Sequence, residues 1–288
     1  VLPTFIVIGA QKSGTTSLHR YLRTHPEVYM PEEKELDFFA AECAMDLPRT
    51  QLAFLNGRCR WDRGLEWYES QFEFAKAIGE ASPRYTMHPA FPGVPQRIAQ
   101  MIPNAKLVYV IRHPVKRAIS HYAHRVRAKQ ETRPIETVLR NDPWYLDTSR
   151  YAYQIEQYLK CFPEAQLLIV IAERLHANRE QTMAQVFEFI GVDPNWRDPA
   201  LNIEHNVSGP VGPPRPVISA LRRTRWWRPV ATHIPPVAKR TVRRVTHETV
   251  PVPRITRDLK KELASSLRDD VRRLRKYLPA DFDGWGIG

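Results

Sequence analysis

Cysteine is scarce in this chain, and acidic residues are missing altogether from one long stretch. The three cysteines among 288 residues, Cys43, Cys59 and Cys161, form no C-x-x-C pair and no metal-ligand spacing. That count argues against a disulfide-stapled module or a cysteine-built zinc site, and it reads as reduced, mostly buried thiols in a cytoplasmic protein. No apolar run approaches the length that spans a bilayer. Internal repeats and low-complexity segments are also missing, which argues against solenoid and disordered classes. From His205 to His247 there is no Asp or Glu, while nine residues are Lys or Arg. Subtracting those nine leaves 34 basic against 31 acidic residues elsewhere, so the net charge of +12 is concentrated in one segment. The chain begins at Val1 rather than Met, so the expectation is that an upstream segment or anchor is compatible with it.

What is present is most informative at the N-terminal end. Thr4-Phe-Ile-Val-Ile-Gly9-Ala-Gln-Lys12-Ser-Gly14-Thr-Thr16-Ser17 reads as an apolar strand, a tight loop and a helix start. Gly9 and Gly14 can take backbone angles closed to other residues. Successive N–H groups then face one point at the positive end of a helix and form an anion cradle. Lys12 adds a point charge, and Ser13, Thr15 and Thr16 add neutral donors. The order is not that of a Walker A loop, where lysine follows the second glycine. Here Lys12 precedes Gly14, and Thr15 holds the usual lysine place. A second apolar strand, residues 106–111, ends in Arg112-His113-Pro114, where an ATPase would want an Asp for magnesium. A cation at that place recruits a second anion. Two anion sites without a metal site favour a nucleotide with separated anionic groups over Mg-ATP.

Taken in order along the chain, these residues resemble the PAPS-dependent sulfotransferases, and within them the heparan-sulfate-type and bacterial carbohydrate-type branch. Gln11-Lys12-Ser13-Gly14-Thr15-Thr16-Ser17 is similar to the family's loop for the 5′-phosphosulfate. Arg112-His-Pro-Val-Lys-Arg-Ala-Ile-Ser120 is similar to its 3′-phosphate motif, which implies Arg112 and Ser120 as phosphate ligands. Lys34-Glu35-Leu-Asp-Phe38-Phe39 resembles the segment that carries the catalytic Glu, here Glu35. The resemblance covers nearly the whole chain and is weakest between about residues 205 and 255. It implies PAPS as donor, PAP as product and no metal. The implied roles are Lys12 on the leaving 5′-phosphate, residues 11–17 holding that phosphate, and Glu35 as general base.

Two departures bear on the acceptor. Heparan-type members often have Lys after the Glu of a Glu-x-x-Pro-x-Tyr segment, where this chain has Ala81, and Arg84 is the substitute at hand. The late cysteine pair of Golgi members is also missing, which weighs against the Golgi lumen, and both departures weigh against a glycosaminoglycan chain as the acceptor. The expected acceptor is a glycan, glycolipid or other small-molecule hydroxyl, with an amine as the second choice. Asp37, Trp61, Trp67, Arg84, Tyr85 and Trp144 are candidates to line its pocket, and His88, His113 and His121 are competing bases. The alternatives are a P-loop nucleotide kinase or phosphotransferase, and a non-catalytic nucleotide-binding protein that docks at membranes. Three readings of the 205–247 basic segment stay open: a solvated lobe, a funnel for anionic ligands, and peripheral contact with anionic lipid helped by Trp226 and Trp227. No motif supports nucleic-acid binding.

Periodicity predicts strands over 5–8, 106–111 and 166–171, with a short strand closing 72–80. It predicts helices over 15–24, 115–129, 152–162, 180–190 and 259–278, and loop with short helices over 209–253. Strands separated by helices imply an α/β, P-loop-like three-layer fold with a central, mostly parallel sheet and a helical, basic C-terminal region. The expected organisation is one domain over 1–288. Within it lie a core to about residue 204, a proline-rich basic lobe over 205–255, and a C-terminal helix and tail over 256–288.

Overall fold

A computed structural model of the chain describes residues 1–44, 52, 55–199, 211–214, 247–249 and 254–287. Five parallel strands form its centre: β1 (Phe5–Gly9), β2 (Val28–Tyr29), β3 (Ala77–Ala81), β4 (Lys106–Ile111) and β5 (Leu167–Ile171). Their spatial order is β2-β3-β1-β4-β5. Register runs Phe5 to Gly79, Phe5 to Lys106 and Leu107 to Leu167 across the three central pairings. Both faces of a parallel sheet are covered, so its strands are apolar on both sides. Side chains alternate between two cores accordingly. Ile6, Ile8, Leu107, Tyr109 and Ile111 enter one core, while Phe5, Val7, Val108 and Val110 enter the other.

The strand order positions the site. From β1 the chain crosses to β2 at one edge, returns through β3, and then builds β4 and β5 on the opposite side. The connections diverge at the carboxyl end of β1, and crevices at such switch points are where open α/β sheets bind ligands. The loop after Gly9 and the ends of β3 and β4 therefore meet there.

Helices fix the ends of these segments. Thr15–Leu22 starts directly after Gly14, whose φ of 101° suits glycine. Pro114–Arg127 begins with proline at its first position, where a missing N–H costs nothing. Arg179–Ile190 ends at Gly191, in the left-handed region. The C-terminal helix Arg257–Leu274 is capped by Thr256, whose hydroxyl accepts from Leu259 N at 3.2 Å. Its buried Leu259, Leu263, Leu267 and Val271 pack with Val115, Ala118 and Tyr145 in a third core. From the same helix, Asp270 accepts from the amides of Ala152 and Tyr153 at 3.1 and 2.9 Å and so caps the helix Tyr151–Tyr158. Among the described residues no helix is long and apolar enough to cross a membrane.

Three features differ from the sequence reading. The two-residue strand β2 is too short to show a period. Where loop and short helices were expected, β6 (Val211–Pro214) and β7 (His247–Thr249) form an antiparallel pair. Both strands of such a ribbon have a free edge, which is where sheets tolerate proline. Cysteine burial is also less complete than expected, with Cys43 buried but Cys59 and Cys161 only partly so, all three being free thiols. The basic segment 205–247, with its three readings, lies outside the described residues except for 211–214 and His247.

Gly9 tests the close packing beneath the site. A Cβ there would run into Thr86 Oγ1 and also crowd the Tyr109 ring. Gly9→Ala is expected to destabilise the fold by about 1–3 kcal/mol, as overpacking does. Urea unfolding reads this directly, and an unchanged midpoint would contradict it.

Candidate active site

The loop between β1 and the first helix is held from below. Ala10 N donates to Val110 O of β4 at 2.7 Å, and Ser13 N donates to Ala10 O at 3.1 Å. Lys12 takes a left-handed φ of 68°, uncommon outside glycine. Two guanidiniums face the outward carbonyls of the turn: Arg117 donates to Gln11 O at 3.4 Å and Arg112 to Lys12 O at 3.5 Å. Ser17 N donates to Gly14 O at 2.9 Å, while the amides of Thr15 and Thr16 stand ahead of the first intrahelical bond and remain donors for an anion. Ser13, Thr15 and Ser17 are buried beneath the turn, and Gln11, Gly14 and Thr16 are half-buried.

Lys12 is unusual electrostatically. Burial, then the positive charges of Arg127, Arg112 and Lys34, push its ammonium down to about 8, with Glu35 pulling the other way. At pH 7 it is still protonated, but it is a strained cation that gains from an incoming anion.

The carboxyl end of β4 supplies the second cation. The Arg112 backbone is tied to Tyr151, whose hydroxyl donates to Arg112 O at 2.7 Å. His113 N donates to Glu173 at 3.0 Å. The following helix, Pro114–Arg127, carries Arg117, Ser120, His124 and Arg127 at spacings of three, four and three, which is one helical stripe. Arg117 is fully buried; it donates to Ser149 Oγ at 2.5 Å and also to Tyr145 O. Burial holds its guanidinium down at about 10. Ser120 Oγ is buried and finds no hydrogen-bond partner among the described residues.

Across from these cations lies the 35–39 segment. Glu35 accepts from Lys34 at 2.9 Å and from Arg58 at 3.2 Å. Burial works to raise its carboxyl, but Lys34, Arg58 and Arg84 outweigh it and hold Glu35 below the usual carboxylate range. Asp37 is buried at 1% exposure and pairs with Arg84 at 3.1 Å and Arg58 at 3.6 Å. Glu35 and Asp37 both have left-handed backbones, with φ of 67° and 52°. Strained angles of this kind persist only where the surroundings impose them, and they cluster at functional sites. Ala81 is buried in the sheet core, and Arg84 is the cation near Glu35 from this stretch of chain.

The fold thus brings Lys12, Arg112 and Glu35 into one electrostatic neighbourhood. Several sequence candidates are displaced from it. Tyr85 and Trp144 are core residues rather than pocket lining, and Trp144 packs under Arg125 and against His121. Burial lowers His88, His113 and His121, the last one strongly, and none becomes a better base. The residues missed by sequence reasoning are Arg58, Glu80, Arg117, His124 and Arg127. His124 is driven down to about 4 by burial, then by Lys12 and Arg127, so it stays neutral beside the site. The helical stripe through Ser120 was a signal for Arg117, His124 and Arg127. Arg58 had none, because its link to Glu35 spans 23 positions.

A parallel α/β sheet with a glycine-bounded loop at its switch point, flanked by two cations and an ion-paired carboxylate, has the α/β fold of the sulfotransferases. The model of the Sulfotransferase family matches residues 3–198. The chain belongs to the sulfotransferase family. It is 30% identical over 215 residues to the bifunctional heparan sulfate N-deacetylase/N-sulfotransferase 3 of Mus musculus, a match covering 68% of this chain and 23% of that protein. A membrane-associated sulfotransferase of Dictyostelium discoideum is 36% identical over 127 residues, covering 42% of this chain and 22% of that one. The fold is similar to the crystal structure of a sulfotransferase from Alicyclobacillus acidocaldarius, with a TM-score of 0.71, 24% identity and 99% of each chain covered. The chain therefore spans less than a quarter of the length of these two curated relatives.

Lys12 yields a prediction with a defined sign. Its charge is complete well below its pKa of about 8 and is lost as pH rises through it. Affinity for PAP, followed by calorimetry, is expected to fall by up to about tenfold per pH unit above 8, where the phosphates are already fully ionised. Lys12→Arg should remove that fall. A wild-type affinity independent of pH up to 10 would contradict the assignment.

Proposed function

We propose that this chain transfers a sulfuryl group from PAPS to an acceptor hydroxyl, with Glu35 as general base. The observation that carries the reading is the meeting of three elements at one place: the β1 loop with Lys12, the β4 end with Arg112, and the ion-paired Glu35. The buried, unpartnered Ser120 hydroxyl fits a nucleotide with a second phosphate, because a buried polar atom without a partner is costly unless a ligand satisfies it. Gln11, Lys12, Ser13, Gly14, Thr15, Thr16 and Ser17 would hold the 5′-phosphosulfate, and Arg112 with Ser120 the 3′-phosphate.

PAPS, when bound, supplies a sulfuryl group whose bond to the 5′-phosphate oxygen breaks as a bond to the acceptor oxygen forms, leaving PAP. Glu35 takes the acceptor proton, and its depressed pKa keeps it ionised and ready at neutral pH. Lys34 and Arg58 fix the direction of its carboxylate. Lys12 and the loop amides neutralise charge on the departing phosphate. Asp37 with Arg84 completes a buried pair beside the base.

The heparan sulfate relatives favour a glycan acceptor, and their name, N-sulfotransferase, makes a glycan amine the alternative to the hydroxyl. The free thiols of Cys43, Cys59 and Cys161 favour a reducing, cytoplasmic compartment.

Transfer from labelled PAPS to a cell extract, with products read by mass spectrometry, tests the reading. Glu35→Gln is expected to lower kcat by at least about 100-fold while PAP affinity stays within about twofold, since a general base contributes on that scale. A Glu35→Gln protein with full transfer would remove Glu35 from the mechanism. Arg112→Ala should weaken PAP at least about tenfold, with little effect on adenosine 5′-phosphosulfate, which lacks the 3′-phosphate. Equal losses for both ligands would contradict that role.

A further inference from the structure

Glu80 is a fully buried carboxyl with no direct part in the chemistry above. It lies on β3, and three hydroxyls donate to it: Tyr68 at 2.7 Å, Ser82 at 2.7 Å and Tyr85 at 2.9 Å. Two of those hydroxyls also accept hydrogen bonds from the site segment. Asp37 N donates to Ser82 Oγ at 3.0 Å, and Phe39 N donates to Tyr85 Oη at 3.3 Å. Glu35 N donates to Ala81 O at 3.2 Å. Alternate amides of the 35–39 segment are thus bound to three successive points at the end of β3.

A hydroxyl has one hydrogen and rotates to suit its partners. As long as Glu80 accepts, the hydrogens of Ser82 and Tyr85 point at its carboxylate and their lone pairs face the Asp37 and Phe39 amides. This segment needs such a hold, because Glu35 and Asp37 both stand at left-handed φ. We infer that Glu80 is a positioning residue: its carboxylate orients the Ser82 and Tyr85 hydroxyls, which fix the backbone that carries Glu35. The inference rests on Glu35 as the base.

The network is pH-sensitive. Burial raises the Glu80 carboxyl to about 7, against the three hydroxyl bonds that lower it. The titratable groups facing it are Tyr68 from the helix Gly64–Glu69, Tyr85 from the turn after β3, Asp37 from the site segment and Tyr158 from the helix Tyr151–Tyr158. All three tyrosines are themselves held above their usual range by burial, so they stay neutral while Glu80 titrates. As pH falls through about 7, Glu80 gains a proton and becomes a donor, and one hydroxyl must then turn toward another acceptor.

Glu80→Gln and Tyr85→Phe test this by hydrogen–deuterium exchange combined with transfer kinetics. Glutamine puts a donor where one hydroxyl needs an acceptor, and phenylalanine removes a single oxygen from the chain of bonds. Both variants are expected to speed exchange in the 35–39 segment and to lower kcat, each by about tenfold or more, since small misplacement of a catalytic group is costly. PAP affinity and exchange over residues 10–16 should remain within about twofold of wild type, because β1 and its loop are untouched. Glu80→Gln should also lose any acid limb of kcat near pH 7. Unchanged exchange at 35–39 in both variants would overturn the inference, as would a parallel loss of PAP affinity, which would mark a general loosening of β3. A wild-type protein without sulfuryl transfer would instead fail the Glu35 reading, and the exchange data would still decide the role of Glu80.

Discussion

The site depends on holding several cations close together with few anions among them. Lys12 is half-buried near Arg112, Arg127 and Lys34, and burial first, then repulsion from these cations, lowers its pKa. Like charges at this range disfavour one another unless something fixes them. Backbone does part of that work: the carbonyls of Gln11 and Lys12 accept from Arg117 and Arg112, so two cations are tied to the loop itself. Glu35 and Asp37 do the rest by pairing with Lys34, Arg58 and Arg84. The remaining positive charge is what the proposed anionic donor would neutralise.

That geometry follows from the sheet. Placing β1 between β3 and β4 makes the loop, the Arg112 corner and the Ser82 turn neighbours, although the loop lies about 70 positions from Ser82 and 100 from Arg112 in the chain. Each end then carries one function. In the proposed reading the β1 end holds the cradle, the β4 end the second cation, and the β3 end supports the segment with Glu35.

Much of this was legible in the sequence, for physical reasons. Buried parallel strands are apolar on both faces, so β1, β4 and β5 stood out, whereas two-residue β2 did not. Gly9, Lys12 and Gly14 were readable because a tight anion-binding loop restricts residue type at fixed spacing. The pairing of Glu35 with Arg58 and of Asp37 with Arg84 was not readable, because charge runs on a loop do not name their partners. Glu80 was hidden for another reason: a carboxylate in an apolar strand looks like an exception until the three hydroxyls around it are seen. Where proline-rich sequence pointed to loop, β6 and β7 pair instead, since a two-stranded ribbon has free edges to place proline on.

The central claim is that the cradle and the Arg112 corner together bind a 3′,5′-bisphosphate nucleotide. A calorimetric titration with PAP in the presence of EDTA, set beside one with ATP and magnesium, tests it most directly. The account predicts saturable 1:1 PAP binding that EDTA leaves unchanged, and much weaker binding of Mg-ATP. Tight binding of Mg-ATP that EDTA abolishes, with no heat from PAP, would contradict it.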